Sequence, residues 1–328
     1  MEGWYEADER WQILGVKSRD EYEAQFVIQG YFHEQLAEDI RKAWTTVVYL
    51  LAHAYYHWPI YDEGMSKALR TVEMAVKLKA QALGIALEYQ DKKGKSRKKV
   101  LNQLIDEICQ PAHLSFIKPL LNRARRLRNI NSHPSQNSYM GGTGRSTDNI
   151  KYIHNLCNTL FLDESRLQSY YHQDPAIQVK LKAMQEPYYV LAADGPNILV
   201  KGFLASRLLY TASEEYLLVC FDPVLHDPAK TYTQHIISSE LPCIALRSFS
   251  FDNGGLVGWD VLKEQAVSLS VSAHSQNAQT YQAYPVAMAS ISKTDISLVE
   301  SLIAQKAPWE LVRAEYELWK REALSSAQ

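Results

Sequence analysis

The chain has 328 residues, 46% of them apolar and 22% charged, with a formal net charge of −2. That balance fits a folded protein large enough for two cores, and it excludes a disordered chain or one drawn to nucleic acid by overall charge. The longest apolar run, Val47 to Ala52, is too short for a bilayer span, the start MEGWYEADERW has no apolar leader core, and Cys109, Cys157, Cys220 and Cys243 form no C-x-x-C pair. The expectation is a cytoplasmic protein with reduced, buried thiols and no membrane contact.

Taken in chain order, the first half has helical periods. Phe32, Leu36, Ile40, Trp44, Val47, Leu51 and Tyr55 recur every three or four residues and define one buried stripe. Leu69, Val72, Val76, Ala80, Leu83 and Leu87 define a second, and Leu101, Leu104, Ile105 and Ile108 open a third. Between the second and third lies DKKGKSRKK, six cations in nine residues around a glycine, expected as a solvated loop. A fourth helix runs from about Leu114 through Leu127, and a fifth carries Ile150, Ile153, Leu156 and Leu160. This half reads as an all-α bundle over residues 1–172.

Beyond Pro175 the texture changes. AVSLSVSA, Ala266 to Ala273, alternates strictly and predicts a strand with one wet face. YVLAA, NILVKGFL, YLLVCF, CIALRSFSF and VAMASI are further strand candidates, separated by D-G-P-N, D-P and N-G-G turn signals. A helical tail follows and is expected to break at Pro308. The reading is an α+β domain over 188–328 with a mainly antiparallel sheet, the boundary falling between Tyr171 and Pro187.

The richest stretch is RRLRNINSHPSQNSYMGG, Arg125 to Gly142. Pro134 disfavours helical geometry in the residue before it, so the helix is expected to stop near His133. Asn129 and His133 are then i and i+4 on one face, with Arg128 one step round. A histidine in the last turn feels the negative end of the helix dipole, which favours its charged form. Arg123, Arg125, Arg126 and Arg128 supply the positive charge that a phosphate-handling pocket needs.

Arg128-Asn129-Ile130-Asn131-Ser132-His133 resembles the R-x4-6-H motif of the HEPN superfamily, in the form with Asn after Arg. The rest of that half is similar too, a helical bundle of about this size over roughly residues 20–170 with the motif late in it and one helix following. The resemblance implies a metal-independent endoribonuclease of toxin or antiviral-defence type, acting as a homodimer whose two motifs face one groove. Carried across, Arg128 stabilises charge on the scissile phosphate, His133 moves a proton, and Asn129 orients the site. Glu73 is a candidate to hold Arg128 from behind, against the simpler reading of an i, i+4 pair with Lys77. Arg123, Arg125, Arg126, Lys95, Arg97, Lys98 and Lys99 are expected to grip RNA phosphates without reading sequence. No cofactor and no metal are expected. The C-terminal domain is read as a sensor or dock for a protein or small-molecule trigger. The competing reading is a non-catalytic HEPN scaffold in a defence or regulatory complex.

Four weaker candidates have simpler accounts. Arg166 and His172 match the same loose motif without its context. His53 and His57 have a metal-compatible spacing but no H-E-x-x-H glutamate and no evident third ligand. GGTGRST, Gly141 to Thr147, lacks the lysine and strand of a P-loop. Asp222, His226 and Asp227 sit among D-P turns.

Overall fold

The computed structural model describes residues 5–132, 144–184, 188–194, 197–225, 227–234, 241–252, 254–272 and 274–326. His133, Pro134, Gly141 and His226 therefore lie outside the described residues. The chain divides into two compact units, one of residues 1–171 with 319–328 and one of 172–318. Among the described residues no helix is long and apolar enough to cross a membrane.

The first unit holds α1 (Arg10–Ile13), α2 (Arg19–Phe26), α3 (Glu38–His53), α4 (Ile60–Ala82), α5 (Leu101–Ile108), a 3-10 turn (Ala112–Ile117), α6 (Lys118–Ser132) and α7 (Gly144–Leu160). Helix α4 is its axis, packed against α3, α5, α6 and α7. It can serve all four because Leu69, Val72, Ala75, Val76 and Ala80 are buried along it, too wide an apolar arc for one neighbour. From α3 come Ile40, Trp44, Val47 and Leu51, and from α7 Ile150, Ile153, Leu156 and Leu160, all buried. Gly64 lets α3 come close: a Cβ there would stand 2.7 Å from Leu51 Cδ2. At the end of α3 the carbonyls left over by the helix are taken up by neighbours. Trp11 Nε1 donates to Ala54 O at 2.9 Å and Tyr22 Oη to Leu51 O at 2.6 Å.

Two details correct or extend the all-α expectation. The lysine-rich segment is a β-hairpin, with β1 (Glu88–Gln90) antiparallel to β2 (Ser96–Lys98). Asp91 builds its turn: the carboxylate accepts from Lys93 N at 2.9 Å, Lys95 N at 3.0 Å and Arg97 Nε at 3.1 Å. Gly94 supplies the positive φ, +73°. Inside the bundle, His154 stacks on Phe32, and full burial holds its imidazole down at a pKa of about 4, hence neutral.

The second unit takes in most of α8 (Glu164–Ala183), then β3 (Tyr189–Ala192), β4 (Ile198–Tyr210), β5 (Glu215–Pro223), α9 (Pro228–Gln234), β6 (Cys243–Asp252), β7 (Gly255–Asp260), β8 (Gln265–Val271) and α10 (Ser275–Ala289), and most of α11 (Lys293–Ser326). Here the sequence reading of an α+β domain with an ordinary sheet is overturned. The six strands pair in sequential order, every pair antiparallel, and β8 returns to pair with β3, closing a barrel. Closure removes both edges that an open sheet would expose. Register irregularities at Val200/Gly202 and Phe203/Ala205 let the long β4 bend around it.

Alternation then sorts the strand side chains into two layers. Leu217, Val219 and Phe221 of β5 face the interior with Ile244 and Leu246 of β6, and with Leu256, Val267, Leu269, Tyr189 and Leu191; all are buried. Tyr216, Leu218 and Cys220, of the other parity, join Ala245 and the helix residues Val299, Ile303, Ala307, Leu311, Ala314 and Leu318 in a second core outside the barrel. Arg207, on that outer side, pairs with the buried Glu315 of α11.

Two more expectations fail in this unit. VAMASI is not a strand, because Val286 to Ala289 belong to α10. Helix α11 runs through Pro308 without ending. Buried Val299, Ile303, Ala307 and Leu311 hold it on both sides of the proline, and that packing outweighs the roughly 3 kcal/mol helix penalty.

Candidate functional site

The site is built where α4 meets α6. Arg128 Nη2 donates to Glu73 Oε2 at 3.1 Å, and Nη1 lies 3.4 Å from Asn129 Oδ1. Lys77 Nζ donates to the other glutamate oxygen at 2.7 Å. The two sequence alternatives for Glu73 thus hold together: it is both the i, i+4 partner of Lys77 and the holder of Arg128. Its carboxyl is kept below the usual range, chiefly by the Lys77 hydrogen bond, while partial burial pulls the other way. An ionised Glu73 can anchor the Arg128 guanidinium and leave its remaining N–H groups clear of that bond.

Further along the same contact, Ser66 Oγ donates to Asn131 Oδ1 at 2.6 Å. The pairing of Glu73 with Arg128 and of Ser66 with Asn131 makes the two helices antiparallel. Asp62 lies one turn beyond Ser66 on α4, in the direction of the end of α6. Sequence reasoning missed Asp62 and Ser66, although the i, i+4, i+11 spacing of Asp62, Ser66 and Glu73 was a signal of one polar stripe. Among the described residues, Asp62 Oδ1 is buried without a hydrogen-bond partner.

Burial, and then the charge of Glu63, pushes Asp62 from an ordinary 3.8 to about 6. Its first-turn position in α4 by itself favours the charged form by only about 0.3–1 kcal/mol, so burial wins. A carboxyl with a folded-state pKa above its unfolded value stabilises the fold below the unfolded value, and that contribution is lost as pH rises through the folded one. We therefore expect Asp62→Asn to raise stability at pH 8 by about 1–2 kcal/mol and to change little at pH 4. Denaturant melts at the two pH values check this, and a gain equal at both would show that desolvation of the charge is not its source.

Arg128 and Glu73 also line a cavity of about 460 Å³ to which the hairpin contributes Glu88 and Lys98. Lys77, Lys98 and Lys99 share its wall with Leu87, Leu101 and Leu104. The fold therefore brings Arg128, Glu73 and, from the end of the basic segment, Lys98 and Lys99, far apart in sequence, to one concavity. The remaining basic candidates are dispersed. Arg123 lies 4.6 Å over the Tyr152 ring, Arg125 Nε donates to Asn122 Oδ1 at 3.3 Å, and Arg126 and Asn129 are exposed. Side chains that turn by about 100° per residue cannot put all four arginines on one helix face. Within the hairpin, Arg97 is tied to Asp91 and Lys99 to Glu107 at 2.6 Å, whereas Lys95 and Lys98 are exposed.

His53 stacks on Tyr49 with ring centroids 4.0 Å apart, and its Nδ1 lies 2.8 Å from Tyr49 O. Among the described residues no group of three or more His, Cys, Asp or Glu side chains is placed to hold a metal ion. Asp222 pairs with Lys201 at 3.0 Å. No family model matches the chain, and neither does any curated protein or solved structure.

Proposed function

We propose that the protein is a metal-independent endoribonuclease of HEPN type, a toxin or antiviral effector that acts as a homodimer with two Arg/His sets in one groove. The observation that carries this reading is Arg128, anchored by an ionised Glu73 at a cavity that the exposed Lys98 also lines. A guanidinium so anchored can neutralise charge building on the phosphate oxygens. His133 moves the proton of the attacking 2′-hydroxyl or of the leaving oxygen, and Asn129 orients the pair. Lys98 and Lys95 hold the RNA backbone without reading bases. The barrel unit serves as the dock for a protein or small-molecule trigger, and the expected location is the cytoplasm.

The Glu73 ion pair also favours a second reading, a non-catalytic HEPN scaffold in which Arg128 is structural. One experiment separates the two. RNA incubated with the purified protein in EDTA is expected to yield fragments ending in 2′,3′-cyclic phosphate and 5′-hydroxyl, because the nucleophile comes from the RNA itself. A 2′-O-methyl group at the cut site should block the reaction, as should His133→Ala. Products with a 5′-phosphate, or cleavage of DNA, would rule out this chemistry, and intact RNA would leave the scaffold reading.

A further inference from the structure

Strands β5 and β6 set two cysteines opposite each other. Cys220 and Cys243 are register partners. The next pair along includes Phe221 N–H donating to Pro242 O at 2.8 Å, so 221 and 242 occupy a hydrogen-bonded position of the ladder. Antiparallel ladders alternate, which makes 220 and 243 a non-hydrogen-bonded pair. In such pairs the Cα atoms stand about 4.5 Å apart, the side chains lie on one side of the sheet, and the approach is the closest that the ladder offers. A disulfide needs a Cα separation of about 4.4–6.8 Å. Both thiols are free, and they lie together in the layer between the barrel and α11, where Cys243 packs against the cluster that contains Cys220.

We propose that Cys220 and Cys243 form a redox modification site, in which hydrogen peroxide converts the two thiols into a cross-strand disulfide that staples β5 to β6. Cys243 keeps some exposed surface as a residue while Cys220 has none, so the first step is assigned to Cys243 although its thiol is itself covered by the packing. Its thiolate attacks the O–O bond, giving a sulfenic acid and one water. The Cys220 thiolate then attacks that sulfur and expels the hydroxyl as a second water. Two thiols are oxidised and one peroxide is reduced, with both thiol protons ending in water.

Burial pushes Cys220 up to about 12 and Cys243 higher still, the nearby Cys220 adding to the effect on Cys243. Oxidation at neutral pH is therefore slow, and its selectivity comes from proximity and not from acidity. Between pH 7 and 9 the rate should climb about tenfold per pH unit, as the thiolate fraction does.

The test uses the full chain, reduced, in two arms: hydrogen peroxide added to the native protein, and refolding from denaturant in a buffer of reduced and oxidised glutathione. Free thiols are then alkylated under denaturing conditions and peptides mapped. The expected result is a linked pair of peptides carrying Cys220 and Cys243 in the peroxide arm, the refolding arm showing that the ladder accepts the bond; a link in the refolding arm alone would overturn the peroxide step. The linked form should melt about 5 °C or more above the reduced form, reversibly with dithiothreitol. Cys243→Ala should remove both the link and the shift. If both thiols stay alkylatable in both arms, or Cys243 proceeds to sulfinic acid without linking, the proposal is overturned. The outcome is independent of any activity on RNA.

Discussion

Replacing Arg128 by alanine is expected to lower RNA cleavage by at least about 10²-fold while leaving the bundle folded. The two halves of that expectation rest on different observations. The catalytic half follows from the proposed role, in which the guanidinium stabilises charge that appears only in the transition state, so its loss should reduce kcat and not merely affinity. The structural half follows from the geometry of the ion pair. Arg128 is 35% exposed and bonds Glu73 at 3.1 Å from the bundle surface, a setting in which ion pairs contribute about 1 kcal/mol or less. Glu73 keeps Lys77 at 2.7 Å after the change, so no charge is left stranded. Single-turnover cleavage and thermal melts of the same preparation check both halves. A fall of many degrees in Tm together with lost activity would mark Arg128 as structural and remove the support for its catalytic role.

Phe221→Ala is expected to cost the barrel unit about 3–5 kcal/mol, the largest stability effect that we anticipate. Phe221 is fully buried in the barrel interior and faces Phe203 of β4, with ring centroids 5.7 Å apart. Its removal opens a hole lined by residues of several strands that closure keeps from collapsing inward, so the cavity term adds to the lost transfer free energy. Val257→Ala, at an exposed position on β7, is the natural control and should cost under about 0.5 kcal/mol. Denaturant unfolding followed by far-UV dichroism measures both. Equal small effects would be inconsistent with a closed, filled barrel.

Much of the chain could be read locally. The stripe Ile40, Trp44, Val47, Leu51 and the stripe Leu69, Val72, Val76, Ala80 belong to α3 and α4, because 3.6-residue periodicity is written in adjacent residues. AVSLSVSA alternates and supplies most of β8, and the turn signal D-N-G-G lies where β6 pairs with β7, Asp252 opposite Gly255. Motif-level inference also offered Glu73 as a partner for Arg128, 55 residues away, and the two form an ion pair.

What the sequence could not carry were facts that depend on distant partners. VAMASI has the composition of a strand, yet its context in α10 decides otherwise, and Pro308 sits inside a helix that its packing sustains. No residue of β8 announces that β3, far back along the chain, is its neighbour, so an open sheet and a closed barrel share one alternation pattern. The same blindness hid Cys220 and Cys243, which looked scattered until register set them side by side. It also hid Asp62, whose raised pKa comes from burial that only packing creates. The sequence by itself determined the periods of the elements, the turn residues and the types of side chain available for chemistry, since those are properties of neighbouring residues. Tertiary structure alone decided closure, burial and which charges meet, because each depends on contacts between residues far apart along the chain.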